Sequence, residues 1–262
     1  MITVGIDASN LRNGGGLTHL TELLSQNTPV VGTIKKVIIW SGKKTLDLLE
    51  DRPWISKCLQ PELDSSQFSR ICWQRFKLPK LAVASKCDLL FIPGASYYGK
   101  FRPVVSMSQN LLPFEWKEMF RYGCSLRTLR LLLLRMSHSR SFLHSDGVIF
   151  LTHYSRNCVL DAMGELEAKT IIVSHGLNPR FRMKPKVQKP ICEYSVTNPF
   201  RLVYVSTVDQ YKHQWHVVEA VAQLRQEGLP IELNLVGSAY PQSLQRLKKT
   251  MARFTSSNDW VK

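Results

Sequence analysis

The sequence predicts an α/β chain made of two doubly wound parallel-sheet domains, the second incomplete. Three observations carry this. Short β-branched runs alternate with longer amphipathic stretches from the first residues onward. The runs are apolar at nearly every position, as strands covered by helices on both faces must be. The alternation stops over a Pro-containing basic stretch and then restarts, which marks a boundary between two sheets.

The first run, residues 2–6, leads into a stretch with Leu17, Leu20 and Leu24 on one helical face, giving a first βα unit. Further strands are expected at 37–40, 88–92, 104–107, 147–151 and 170–173, with helices at 68–86, 115–145 and 153–163. Residues 1–182 therefore form a first Rossmann-like domain. Lys184-Pro185-Lys186, Lys189-Pro190 and Asn198-Pro199 break any regular pattern, so residues 183–199 read as a linker. From 200 to 262 the rhythm resumes. A strand is expected at 202–205, a helix with Val217, Ala220, Val221 and Leu224 facing inward, a strand at 231–236 and a helix through Leu244, Leu247 and Met251. Residues 258–262 read as the opening of another strand, and two or three strands cannot cover both faces of a parallel sheet, so this domain is expected to be cut short.

The 262 residues carry 35 Lys+Arg against 20 Asp+Glu, a net charge of +15, with 44% apolar and 10% aromatic residues. That apolar content excludes disorder, collagen-like repeats and coiled coil. No run approaches the ~18 apolar residues of a spanning helix, and the chain opens as a strand rather than as a signal peptide, so it reads as neither transmembrane nor secreted. Six cysteines (Cys58, Cys72, Cys87, Cys124, Cys158 and Cys192) show no CxxC or zinc-type spacing and read as reduced core residues.

The motifs narrow the chemistry. Gly14-Gly15-Gly16 opens the first helix and can bring a phosphate to its N-terminus, or serve as a plain flexible turn. Gly94 to Lys100 has the G-x-x-x-x-G-K spacing, but Phe101 follows and a strand comes next, so it reads as a connecting loop rather than an ATPase loop. No G-x-S-x-G occurs, which disfavours a hydrolase. His213 and His216 share a helix face without a third ligand, and no Asp-x-Asp is present to hold a metal and a sugar diphosphate. No metal or cofactor is expected. The basic segment 121–140 places Leu126, Leu129, Leu132, Leu133 and Met136 together, with Arg127, Arg130 and Arg135 largely opposite. The arginines are candidates to face an anionic membrane; equally, this is a crossover helix whose leucines pack on the sheet. Nucleic acid is not expected as a partner, because stacking clusters, zinc fingers and helix-turn-helix spacing are missing.

Taken together, four segments resemble the family-4 retaining glycosyltransferases of the GT-B fold. Gly14-Gly15-Gly16-Leu17-Thr18-His19-Leu20 is similar to the family's N-domain glycine loop, and Gln109-Asn110-Leu111-Leu112-Pro113-Phe114 to its cleft loop, where many members carry His-Asp. Ser174-His175-Gly176-Leu177-Asn178-Pro179 is similar to the segment closing the N-terminal domain, and residues 204–214 to the first strand and loop of the C-terminal domain. The resemblance implies a nucleoside-diphosphate sugar as donor substrate and a lipid-linked or cell-envelope saccharide as acceptor; the basic charge and the arginine helix point to the cytoplasmic membrane face. It places Gly15, Gly16 and Lys212 at the diphosphate, and His19, Gln109, Asn110, His175 and Gly176 on the acceptor side of the cleft. The other reading of Lys212 is a solvated residue at a helix start, and that of His175-Gly176 a domain-closing turn. Gln109-Asn110 lacks the titratable His, which the resemblance tolerates, because in the family's usual account the leaving phosphate oxygen takes the acceptor proton. The family's Glu-x7-Glu segment has no counterpart up to Lys262. Two other readings are a nucleotide-sugar epimerase of the same fold and a non-catalytic basic protein that binds membranes or polyanions.

Overall fold

The computed structural model describes residues 1–25, 33–254 and 260–262. They fall into two compact units, residues 1–119 with 124–182, and residues 120–123 with 183–262.

Unit 1 is built on seven strands: β1 (Ile2–Asp7), β2 (Ile34–Ser41), β3 (Ile55–Leu59), β4 (Leu89–Ile92), β5 (Val104–Ser108), β6 (Gly147–Phe150) and β7 (Lys169–Ile172). Every pairing is parallel, in the order β3-β2-β1-β4-β5-β6-β7. The chain winds outward in one direction from β1 to β3 and in the other from β4 to β7, so the order reverses between β1 and β4. In open parallel sheets that reversal leaves a crevice beyond the carboxyl ends of the strands. The helices are α1 (Gly14–Ser25), α2 (Lys43–Leu46), α3 (Gln67–Cys72), α4 (Leu78–Ala84), α5 (Trp116–Phe120), α6 (Leu126–Leu143) and α7 (His153–Met163).

Period-two alternation divides the core. Val4, Ile6, Val37 and Ile39 pack with Leu20 and Leu24 of α1, while Ile38, Trp40 and Leu90 pack with Trp73, Leu78 and Ala82 on the other face. Trp40 lies against β1 at Gly5, where a Cβ would come within 2.7 Å of its ring; Gly5 is what lets the indole sit flat on the sheet.

Unit 1 departs from the sequence pattern at two elements. β3 was not expected, because its sequence ISKCL places Ser and Lys in the run; it is an edge strand, and its residues stay partly exposed. The single helix expected over 115–145 is two, α5 and α6. Gly123 takes φ +60° between them, and the Ser125 side chain accepts from the Thr128 N–H to start α6. Between α3 and α4 the helix widens into a π turn over Trp73–Lys77.

Unit 2 contains β8 (Phe200–Val205) and β9 (Ile231–Val236), paired in parallel, with α8 (Gln214–Gln226) and α9 (Pro241–Phe254). Its core holds Val208, Trp215, Val218, Val221, Leu233, Leu247 and Trp260. The buried face of α8 is Trp215, Val218, Val221 and Ala222; Ala220 and Leu224, expected inward, are exposed. Of the strand expected over 258–262, Asn258 and Asp259 lie outside the described residues, and Val261 bridges Leu233 in parallel. The cysteines are all free thiols; Cys124 and Cys192 are exposed, which corrects the expectation that all six belong to the core. Among the described residues no helix is long and apolar enough to cross a membrane.

Candidate functional site

At the reversal point of unit 1, the loops following β1, β4, β5 and β7 enclose a cleft of about 440 Å³. Asn10, Leu11, Asn13, Gly15 and Gly16 come from the loop and first turn after β1, Pro93, Gly94 and Ala95 follow β4, Gln109 and Asn110 follow β5, His175 follows β7, and His138 rises from α6. None of these side chains is Asp, Glu, Lys or Arg. The lining is therefore amides, imidazoles and backbone, a surface suited to hydroxyl groups.

The glycine turn shapes one wall. Gly14 takes φ +70°, and a Cβ on Gly16 would come within 3.0 Å of Leu11 and 3.2 Å of the Gln109 side-chain oxygen, so the start of α1 rests directly on Gln109. A Cβ on Gly15 would meet nothing. The first turn of α1 carries no acidic residue, which leaves its backbone N–H groups and dipole uncompensated by side-chain charge. Opposite, Asn110 Oδ1 accepts from the Leu112 N–H at 3.2 Å, which holds the loop and leaves its side-chain NH2 free of that bond. Ala95 sits in the left-handed region at φ +61°, a strained conformation for a residue with a Cβ.

Beneath the cleft runs a buried polar layer. Asp7, at the end of β1, accepts from the Ser9 N–H at 2.9 Å and from Gln74 Nε2, which also donates to Ser9 Oγ at 3.1 Å and to the Ser96 carbonyl at 3.0 Å. Gln74 lies in the π turn, which places its amide under β1. Burial pushes the Asp7 carboxyl up, against the hydrogen bonds from Ser9 and Gln74 that lower it. Ser137 donates to Ser96 at 3.1 Å and receives from Tyr98 at 2.7 Å, and Ser141 receives the Tyr97 N–H at 2.8 Å.

His138 is the exception in this layer. It is 4% exposed, its ring packs beside Phe114 and Phe142, which also touch each other, at centroid distances of 6.4 and 6.1 Å, and its Nδ1 has no hydrogen-bond partner among the described residues. Burial pushes its pKa down to about 4, so the ring is neutral near pH 7. An unsatisfied buried polar group of this kind costs about 1–3 kcal/mol.

The structure brings together Gly15, Gly16, Gln109, Asn110 and His175 in this one cleft. His19, in the second turn of α1, joins them through His175, their Nδ1 atoms 3.1 Å apart, so that one imidazole must donate to the other. Burial, and secondly the charge of His175, hold the His19 pKa down. Asn178 ties this segment to α1 by donating to Glu22 at 2.8 Å. Gly176 is not part of the lining. Lys212 belongs to unit 2, on a 3-10 turn (Gln210–Lys212) just ahead of α8. Its carbonyl accepts from Tyr204 Oη at 2.7 Å, and its Nζ lies 4.8 Å from the Tyr211 ring centre. Asn10, Asn13, Ala95 and His138 escaped the sequence reading; the available signal was His138 itself, a polar residue seven positions after Leu131 and four before Phe142 on what proves to be the buried face.

The arginine helix also needs correction. In α6 the buried side chains are Thr128, Leu131, Ser137, His138, Ser141 and Phe142, while Leu126, Leu129, Leu133 and Met136 are exposed. Those four exposed side chains do not pack on the sheet. Arg135, expected to face a membrane, is drawn into unit 1 instead: it donates to the Pro113 and Ala162 carbonyls at 3.3 Å each and lies 4.3 Å from the Trp116 ring centre. Arg130 is exposed and Arg127 half-buried.

No protein-family model matches the sequence, and neither does any curated protein. Solved structures do match in fold. Anabaena HepE in complex with UDP and glucose aligns with a TM-score of 0.62 at 15% identity, over 100% of this chain and 68% of its own. Sucrose-phosphate synthase from Thermosynechococcus elongatus aligns at 0.63 and 13% identity, over 100% and 70%. The UDP-forming α,α-trehalose-phosphate synthase from Burkholderia xenovorans, in complex with glucose-6-phosphate, aligns at 0.57 and 10% identity, over 100% and 74%. The chain thus has an α/β fold of the GT-B type.

Proposed function

We propose that the chain is a glycosyltransferase that moves a sugar from a nucleoside-diphosphate sugar to a saccharide acceptor. The observation that carries this reading is the uncharged, amide-lined cleft at the reversal point of the sheet, in a fold shared with a protein that binds UDP and glucose. In this reading Gln109, Asn110, His19 and His175 orient acceptor hydroxyls. The backbone N–H groups at Gly15 and Gly16, and the Lys212 ammonium, take up phosphate charge, without a metal ion or cofactor. Transfer proceeds with retention of configuration: the bond from the anomeric carbon to the phosphate oxygen breaks, the bond to the acceptor oxygen forms, and the departing phosphate oxygen takes the acceptor proton. This is consistent with Gln109-Asn110, which offers no titratable group.

UDP should raise the melting temperature of the protein, since a ligand at a hundred times its Kd adds about 2.7 kcal/mol, and Lys212→Ala should weaken that binding about tenfold or more. No shift with UDP, together with no effect of the substitution, would sink the proposal. Mass analysis of the products separates transfer, in which the acceptor gains a sugar, from epimerisation, which leaves a free sugar nucleotide.

The exposed face of α6 favours a second element of the reading. Leu126, Leu129, Leu133 and Met136 face solvent, Arg130 and Arg140 are exposed on the same helix, and α6 contains no acidic residue. We propose that this face rests on an anionic bilayer, placing the cleft beside a lipid-linked acceptor at the inner face of the cytoplasmic membrane. Binding to phosphatidylcholine vesicles containing phosphatidylglycerol should fall as salt rises, and the double substitution Leu129→Glu with Leu133→Glu should abolish it. Retention of binding by that variant refutes the assignment.

A further inference from the structure

His138 does no structural work that its ring nitrogens require. It sits in a layer where Asp7, Ser9, Gln74, Ser96, Ser137 and Ser141 satisfy one another, yet it takes no part in those bonds. Phenylalanine would pack beside Phe114 and Phe142 equally well and would leave no nitrogen without a partner. A buried polar group that the fold does not satisfy, held at the wall of a cleft, is a group kept for a ligand. The ligand's chemistry follows from the surroundings. Neutral imidazole offers one donor and one acceptor, the other cleft side chains are amides and a second imidazole, and no carboxylate or cation lines the space. An uncharged hydroxyl, itself both donor and acceptor, meets that demand; a phosphate or carboxylate would meet no positive side chain there.

We propose that His138 is a direct contact for a hydroxyl group of the acceptor sugar and sets the preference of the cleft for an uncharged saccharide. The inference rests on the reading of the cleft as an acceptor site.

The seven histidines make the test direct: in the 262-residue protein labelled with 15N at histidine, the ring nitrogens of His138 can be followed by NMR during titration with methyl α-D-glucopyranoside and methyl α-D-galactopyranoside. At least one glycoside should shift the His138 nitrogens together with the side-chain amides of Gln109 and Asn110. His138→Phe should weaken that glycoside about tenfold or more, judged from the Gln109 and Asn110 amides, while the melting temperature of the unliganded variant stays level or rises. A purely structural histidine predicts the reverse, a fall in melting temperature with unchanged glycoside affinity, and that result overturns the proposal. So does glycoside binding that moves the Gln109 and Asn110 amides but not His138 in the wild-type protein, a measurement that holds even if the variant does not fold. If no glycoside binds while UDP does, the inference about His138 fails and the nucleotide-sugar reading stands. If neither binds, both fail.

Discussion

A neutral buried imidazole leaves a mark on stability as well as on binding. The ordinary histidine pKa of 6.5 describes the unfolded chain, and folding lowers that of His138 to about 4. Below pH 6.5 the unfolded state therefore binds a proton that the native state refuses. The contribution is complete above about pH 6.5 and is lost progressively as pH falls toward 4, by on the order of 3 kcal/mol for a shift of this size. His19, also lowered, acts in the same direction, and Asp7, whose carboxyl is raised, acts in the opposite one. The informative quantity is thus the difference between two proteins. We expect His138→Phe to be less acid-sensitive than the wild type between pH 6.5 and 4.5 in urea unfolding; equal slopes in that window would mean that His138 already has a partner in solution. At this scale the sequence exposed the cleft residues that sit in recognisable loops, Gly15, Gly16, Gln109, Asn110 and His175. It hid His138, because a histidine inside a leucine-rich helix looks like surface until the buried face is known, and it hid Asp7 and Gln74, because nothing local in residues 67 positions apart announces that they meet.

The elements were legible wherever burial was one-sided or complete. Leu17, Leu20 and Leu24 of α1 all lie inside as their spacing requires, and the central strands read as continuous apolar runs because helices cover both faces. β3 was missed for the converse reason, since an edge strand has less surface to bury and tolerates Ser56 and Lys57. In α6 the helix itself was legible, but the leucines are so numerous that periodicity could not choose the inner face. The choice fell to smaller groups, with Ser137 and Ser141 inside because the Tyr98 hydroxyl and the Tyr97 N–H donate to their oxygens and Ser137 donates in turn to Ser96. That assignment separates two leucines of similar appearance. Leu131, 6% exposed, should cost about 2–5 kcal/mol when changed to Ala. Leu133, 57% exposed, should change stability by no more than about 0.5 kcal/mol. Equilibrium unfolding of the two variants decides the question, and similar losses would mean that the helix is rotated from the face described here.

At the scale of the molecule, the position of the cleft was legible only through topology. A parallel sheet whose order reverses between β1 and β4 brings together loops from residues 10, 94, 109 and 175, which no reading along the chain connects. All the cleft-lining side chains belong to unit 1, whereas the basic stretch that follows Arg182 is exposed and contains no strand or α-helix up to Phe200. Backbone of that kind is the first to enter a protease active site. Trypsin should therefore cut first after Arg182 and Lys186, since Lys184 and Lys189 are each followed by proline, and the larger product should carry every cleft residue. Its mass should match cleavage at one of these two bonds. Early cleavage at Arg130 or Arg140 instead would show that α6 opens more readily than the stretch after Arg182, and would place the weak point of the molecule beside the cleft, where His138 is held.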